Sequence, residues 1–172
     1  MDKTAWMLTK VFDANRLMVG DDDGNHRQAT GEEIIKAAIR EIDARFCRGT
    51  QICSPEATQE YLRLHLAHLE HEVFAVLWLD TRHRVLAFEE LFRGTIDGAS
   101  VHPRELVKSA LQHNAAACII CHNHPSGMAD PSNADRQITQ RIKDALALID
   151  VRTLDHVIVA EYSYSFAEHG LI

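Results

Sequence analysis

The stretch Ala117–Asp135 of this 172-residue chain joins two histidines and an aspartate through a short loop. His122 and His124 follow an apolar run. In an extended chain residues i and i+2 point to the same side, so both imidazoles can converge on one point. Pro125 and Gly127 turn the chain back, and Asp135 arrives on the first turn of the next helix. Two imidazoles and one carboxylate make three ligands, leaving the fourth position of a tetrahedral zinc for water. That is the layout of a catalytic zinc site rather than a closed structural one. Zinc bound there would lower the pKa of its water to about 7. A nearby carboxylate could then take the proton as water attacks a carbonyl, and the Ser132 hydroxyl could hydrogen-bond the developing oxyanion. Ser132-x-x-Asp135 also reads as a capping box with Asp in place of the usual Glu or Gln. An Asp at a helix N-terminus is favoured by the helix dipole, and the two readings are compatible.

Rival motifs fit less well. His122-Asn123-His124 spells HNH, but three letters are a weak nuclease signal. Cys118-x-x-Cys121 resembles half a zinc ribbon, yet strand residues three apart point to opposite faces, so these thiols are expected in the core. A zinc deaminase needs a His-x-Glu and a later Pro-Cys-x-x-Cys, and both are absent. His65, His68 and His71 recur every three residues without a carboxylate in register and read as a polar helix face. The acidic run Asp21-Asp22-Asp23 lacks the glycine spacing of an EF-hand loop and reads as a turn over residues 20–25.

The elements that must position these residues alternate between helix and strand. Thr30 can cap a helix whose apolar face is Ile34, Ile35, Ala38, Ile39 and Ile42. Ser54-Pro55 opens a second helix. Val73–Leu79 is a continuous apolar run that predicts a buried strand. Arg84–Phe88 reads as its returning partner and Leu91–Ile96 as another strand. A helix is expected from Pro103 to about Asn114, a small strand over Ala116–Cys121 and a loop over His122–Pro131. A helix over Asn133–Ile149 and strands over Thr153–Ala160 and Tyr162–Phe166 complete the pattern. The class is α/β or α+β, with one mixed sheet.

Composition bounds the functions available. Hydrophobic residues make up 46% and charged residues 25%, an ordinary globular balance. The net charge is −7, which disfavours a nucleic-acid footprint, although DNA contact through a local patch stays open. No apolar run reaches the ~18 residues of a membrane span. The N-terminus lacks the apolar core of a secretory signal, and four cysteines without one predict reduced thiols and a cytoplasmic protein.

The spacing His-x-His, seven residues, Ser, two residues, Asp resembles the JAMM signature of MPN-type metalloproteases, matched by His122, His124, Ser132 and Asp135. Leu91–Thr95, Val101–Glu105, His122–Gly127, Asp155-His156 and Ser165–Leu171 resemble the bacterial RadC family. The resemblance covers about residues 54–172, expected to form a single MPN domain, with residues 1–53 as an N-terminal extension carrying one helix. It implies a cytidine-deaminase-like mixed sheet flanked by helices, and one zinc per chain held by His122, His124 and Asp135. It implies Ser132 as the oxyanion-stabilising serine and Glu72, directly before the strand Val73–Leu79, as the general base. Parity along an extended chain does not separate Glu72 from Glu70, and the family pattern selects Glu72. The implied activity is hydrolysis of a peptide or isopeptide bond in a protein or peptide substrate. The alternative is a non-catalytic or DNA-repair-linked accessory protein that keeps the zinc-binding fold. Two departures stand out. Residues 1–53 show no Gly-rich helix-hairpin-helix, so the chain resembles the short form of the family. Ala160-Glu161-Tyr162 replaces a Gly-rich turn, from which only a local loop change is expected.

Overall fold

The computed structural model describes residues 17–20, 26–45, 47–52, 54–94 and 101–172. The chain divides into two compact units, Met1–Arg40 and Glu41–Ile172. In the first, strands β1 (Met18–Gly20) and β2 (His26–Gln28) pair antiparallel. Residues 21–25 of the turn expected between them lie outside the described residues. Helix α1 (Gly31–Arg45) starts at a capping box: the Glu33 N–H donates to Thr30 Oγ1 at 3.2 Å, and the Thr30 N–H donates to Glu33 Oε2 at 2.9 Å.

The second unit is three-layered. Helix α2 (Pro55–Leu66) is capped by Ser54, whose Oγ accepts from the Ala57 N–H. Strand β3 (Val73–Leu79) is buried throughout, and β4 (Val85–Arg93) pairs with it antiparallel. Helix α3 (Pro103–His113) leads to β5 (Ala117–Asn123), also buried along its whole length. Helix α4 (Asn133–Ala147) crosses to β6 (Arg152–Val159), which runs parallel to β5, and β7 (Ser163–Ser165) closes the sheet. The order is β4-β3-β5-β6-β7, so the described residues form a mixed five-stranded sheet and the two-stranded β1–β2 hairpin.

The unbroken apolar runs follow from coverage on both faces. Val73, Ala75, Leu77 and Leu79 join Ile119, Cys121 and Val157 under Tyr61, Leu62 and Leu66 of α2. Phe74, Val76, Trp78, Cys118 and Ile120 face the other way, against Leu106 and Ala110 of α3 and Ile142 and Leu146 of α4. The two cysteines of the Cys-x-x-Cys pair therefore lie on opposite faces, and both are buried.

Two sequence expectations need correcting. Arg84–Phe88 and Leu91–Ile96 belong to one strand, β4, as far as Arg93; Thr95 and Ile96 lie outside the described residues. Glu89 and Glu90 lie between the two segments, and because β4 is a half-buried edge strand their carboxylates are tolerated. Glu89 is also satisfied, accepting from Trp78 Nε1 at 3.2 Å and from the Ser109 hydroxyl. The register steps at a bulge, from Phe92 opposite Phe74 to Glu90 opposite Ala75. Strand β5 also runs further than expected and includes His122 and Asn123, which pair with β6 opposite Ile158 and Val159.

Asn123 explains how a polar residue can end a buried strand. Its Oδ1 accepts from the Val73 N–H at 2.7 Å, and its Nδ2 donates to the carbonyls of His71 at 3.0 Å and Leu69 at 3.3 Å. One side chain thereby clamps the segment between α2 and β3, the segment that carries Glu70 and Glu72. Removing it leaves a buried N–H and two carbonyls without their partner. Asn123→Ala should cost roughly 2–4 kcal/mol in urea unfolding, from unsatisfied buried groups. A loss below about 0.5 kcal/mol, the ordinary surface level, would contradict the clamp.

Candidate metal centre

His122 sits near the C-terminal end of β5 and shares its face with Cys118 and Ile120. Its ring is 1% exposed and lies parallel to Phe74, with an interplanar angle of 10°. His124 follows the strand, anchored by its N–H donating to the Val159 carbonyl at 2.8 Å. The chain then turns through Gly127, whose φ of +85° favours glycine. The turn brings the Met128 carbonyl back to His124, where it accepts from Nδ1 at 2.7 Å. Asp135 stands three residues after the N-cap Ser132 of α4.

These pieces converge. His122 Nε2 and His124 Nε2 are 2.9 Å apart, His122 Nε2 is 3.3 Å from Asp135 Oδ1, and His124 Nε2 is 3.8 Å from Asp135 Oδ2. The first two separations lie near the roughly 3.3 Å edge of a tetrahedron built on ~2.05 Å bonds, and one ligand atom from each of the three residues lies within 4.8 Å of the others. Among the described residues this is the one group of three or more His, Cys, Asp or Glu side chains spaced to hold a metal. His65 instead pairs with Asp43 at 2.9 Å and packs beside Tyr61 and Phe88. Burial pushes the Cys118 thiol up to about 12 and the Cys121 thiol higher, which keeps both protonated and poor ligands.

Proton placement makes the centre hungry for a cation. The Met128 carbonyl can only accept, so His124 carries its hydrogen on Nδ1, and in the neutral ring Nε2 is a bare lone pair. His122 Nδ1 lies 2.8 Å from His156 Nε2, and His156 Nδ1 lies 2.6 Å from Thr139 Oγ1. Burial, and then the neighbouring His122, hold His156 well below the ordinary imidazole pKa and keep it neutral. Where His122 donates into that chain, its Nε2 is also a lone pair. Two such nitrogens 2.9 Å apart beside a carboxylate repel one another unless a proton or a metal ion lies between them. Burial opposes the charge on Asp135. The Ser132 hydroxyl and N–H, both donating to Oδ2, favour it and help hold the carboxyl below the usual carboxylate range.

Both sequence readings of Ser132 meet in one geometry. Its Oγ accepts from the Asp135 N–H at 3.1 Å and donates to Asp135 Oδ2 at 2.6 Å, while the Ser132 N–H donates to the same oxygen at 2.7 Å. The capping box is therefore complete, and the same carboxylate faces the histidines. Ser132, His124, Met128, Glu70 and Glu72 line one cleft of about 750 Å³. Glu72 is half-buried and Glu70 exposed. The structure thus places Glu72 on the cleft but does not separate it from Glu70.

Spacing alone pointed to neither His156 nor Thr139, which lie on β6 and α4; only the Asp155-His156 flank of the family resemblance touched one of them. The turn at Ala160-Glu161-Tyr162 is also closer to the centre than its sequence position suggested. The Glu161 N–H donates to the Gly127 carbonyl at 3.3 Å, so this turn braces the loop between His124 and Met128.

Comparison with known proteins agrees with this architecture. A family model described as a RadC-like JAB domain matches residues 52–171. A UPF0758 protein of Thioalkalivibrio sulfidiphilus is 54% identical over 149 residues, covering 87% of this chain and 67% of that protein. A UPF0758 protein of Vibrio cholerae is 55% identical over 144 residues, covering 84% of this chain and 91% of its own length. A UPF0758 protein of Nitrosococcus oceani is 60% identical over 139 residues, and there the chain spans 62% of a longer relative. With the family match running through most of the second unit and enclosing the whole His-His-Asp centre, this chain belongs to the RadC family of JAB domains.

Proposed function

We propose that this chain is a zinc-dependent peptidase or isopeptidase of the JAMM type, acting on a protein or peptide substrate with one zinc per chain. The observation that carries the reading is the convergence of two imidazole nitrogens and a carboxylate beside a cleft that also presents carboxylates and a serine hydroxyl. Two nitrogen donors and one oxygen suit zinc, whereas calcium and magnesium take oxygen ligands. Net charge and the absence, among the described residues, of a helix long and apolar enough to cross a membrane are compatible with a protein substrate.

When bound, zinc supplies Lewis acidity, making a water molecule acidic and polarising a carbonyl. The protein's own residues do the rest. His122, His124 and Asp135 hold the metal through atoms that carry no hydrogen. Glu72 takes the proton from the attacking water and passes it to the leaving amine. A general base of this kind must come within about 2.6–3.2 Å of the proton it accepts, or reach it through one more water. The Ser132 hydroxyl, now donating to Asp135, turns to the oxyanion as the carbonyl is attacked. Met128, largely exposed at the cleft, offers apolar contact to the chain on either side of the scissile bond.

Zinc content is the first measurement. His122→Ala should abolish the stoichiometric zinc, while Cys118→Ala with Cys121→Ala should retain it. Zinc lost from the cysteine variant and kept in the histidine variant would replace this site with a thiolate one. The chelated protein should still unfold cooperatively, because its core is independent of the ion, and zinc should raise the melting temperature by mass action on the native state.

Turnover is the second. Zinc-loaded protein screened against peptide and isopeptide libraries should cleave a subset that a chelated control leaves intact. Absence of cleavage, together with a DNA mobility shift at physiological salt, would favour an accessory role. On any cleaved substrate, Glu72→Gln should keep zinc and lose about 10²–10⁴ in rate, the usual worth of general-base catalysis. Glu70→Gln should change the rate little. The reverse pattern would move the base to Glu70.

A further inference from the structure

His156 is the most deeply buried histidine of the unit, 0% exposed, and the proposed hydrolytic chemistry does not use it. Its ring lies between Phe166, with centroids 4.7 Å apart, and Phe74, at 5.8 Å. The Phe166 N–H donates to the His156 carbonyl, which fixes the covering ring over it. Inside this apolar housing the two ring nitrogens have two polar partners, Thr139 Oγ1 and His122 Nδ1.

The hydrogens in this chain have only one consistent direction. Thr139 Oγ1 is 2.5 Å from the Asp135 carbonyl oxygen, and two oxygens at that separation need a hydrogen between them. Only the hydroxyl has one, so Thr139 donates to Asp135 and accepts from His156 Nδ1–H. A neutral imidazole carries a single ring hydrogen. His156 Nε2 is therefore an acceptor, and His122 must donate to it from Nδ1. The chain starts on the backbone of Asp135 and ends on the ring of His122.

We propose that Thr139 and His156 are positioning residues that lock His122 in its Nδ1–H tautomer, so that its Nε2 lone pair is held towards His124 and Asp135 for a divalent cation. The inference rests on the reading of those three residues as metal ligands. It ties helix α4, which brings Asp135, to strand β5, which brings His122, through a residue of β6. Hydrogen-bond partners behind a ligating histidine commonly set both tautomer and basicity, and their loss weakens metal binding about 10–100-fold.

Thr139→Val keeps the side-chain shape and removes the hydroxyl. His156 Nδ1–H then has no acceptor, and the ring hydrogen moves to Nε2. From there it donates to His122 Nδ1 and drives the His122 hydrogen onto the nitrogen that should bind metal. Zinc affinity measured by chelator competition should fall about 10–100-fold, and Thr139→Ser should recover it. Ring ¹⁵N shifts of the metal-free wild type, recorded well above the ordinary imidazole pKa of about 6.5, should show His122 as Nδ1–H. Thr139→Val should show it as Nε2–H. His156→Phe, which fills the same space without an acceptor, should lose affinity as Thr139→Val does. An Nε2–H form of His122 in the wild type overturns the lock without any variant, as does wild-type affinity in both Thr139→Val and His156→Phe. A wild type that binds no zinc but shows Nδ1–H His122 defeats the metal reading while the tautomer lock stands.

Discussion

Two polar side chains, His122 and Asn123, are buried at the end of a strand covered on both faces, and neither can be left without hydrogen-bond partners. An unsatisfied buried polar group costs about 1–3 kcal/mol, a large share of a domain's net stability. Because side chains alternate along a strand, the two residues solve this problem on opposite sides of the sheet. His122 turns to the α4 face, where Nδ1 meets His156 and Nε2 lies 3.3 Å from Asp135 Oδ1. Asn123 turns to the α2 face and finds the backbone of residues 69–73. One solution builds the candidate metal centre. The other fixes the segment that delivers Glu70 and Glu72 to its cleft. Satisfying two adjacent buried residues thus sets the candidate ligands and the candidate base in register.

Asp135 carries a second double duty. Its carboxylate accepts from the Ser132 N–H and hydroxyl at the start of α4, and it also faces His122 and His124. An ordinary capping Glu or Gln, longer by a methylene, would reach the cap from a different height. The helix start and the proposed ligand are therefore the same group, which ties the position of α4 to the geometry of the centre. The apolar layers supply the stiffness this arrangement needs. Trp78, Leu106, Ile142 and Leu146 fix α3 and α4 against the sheet, and Phe74 and Phe166 close around the two inner imidazoles. A core of this size does not need an ion merely to fold.

Much was legible in the sequence because local rules dominate there. Continuous apolar runs marked β3 and β5, 3.6-residue patterning marked α2, α3 and α4, and Ser54-Pro55 and Thr30 marked helix starts through capping chemistry that involves only near neighbours. The separation of Cys118 and Cys121 followed from strand alternation. The convergence of His122 and His124 followed from the same rule, and the short loop to α4 made Asp135 the natural third group. The joining of the two segments of β4 into one strand was not legible. Glu89 and Glu90 look like a break until the strand is known to lie at the sheet edge with a Trp and a Ser as partners.

What tertiary structure alone decided is everything that depends on which strand lies beside which. His156 meets His122 because β6 runs parallel to β5, a pairing across more than thirty residues that leaves no local trace. Thr139 completes the chain because α4 packs over that pair. The turn at Glu161 braces the His124 loop for the same reason. By itself, the sequence pointed to a candidate His-His-Asp donor set and to the class of fold that presents it, because ligand chemistry and short-range periodicity are written in residue type and spacing. The tertiary structure decided the hydrogen-bond partners of the imidazoles, the placement of Glu72 on the cleft and the contacts behind His122. Those depend on hydrogen bonds between elements distant in the chain, whose directions exist only once the sheet is assembled.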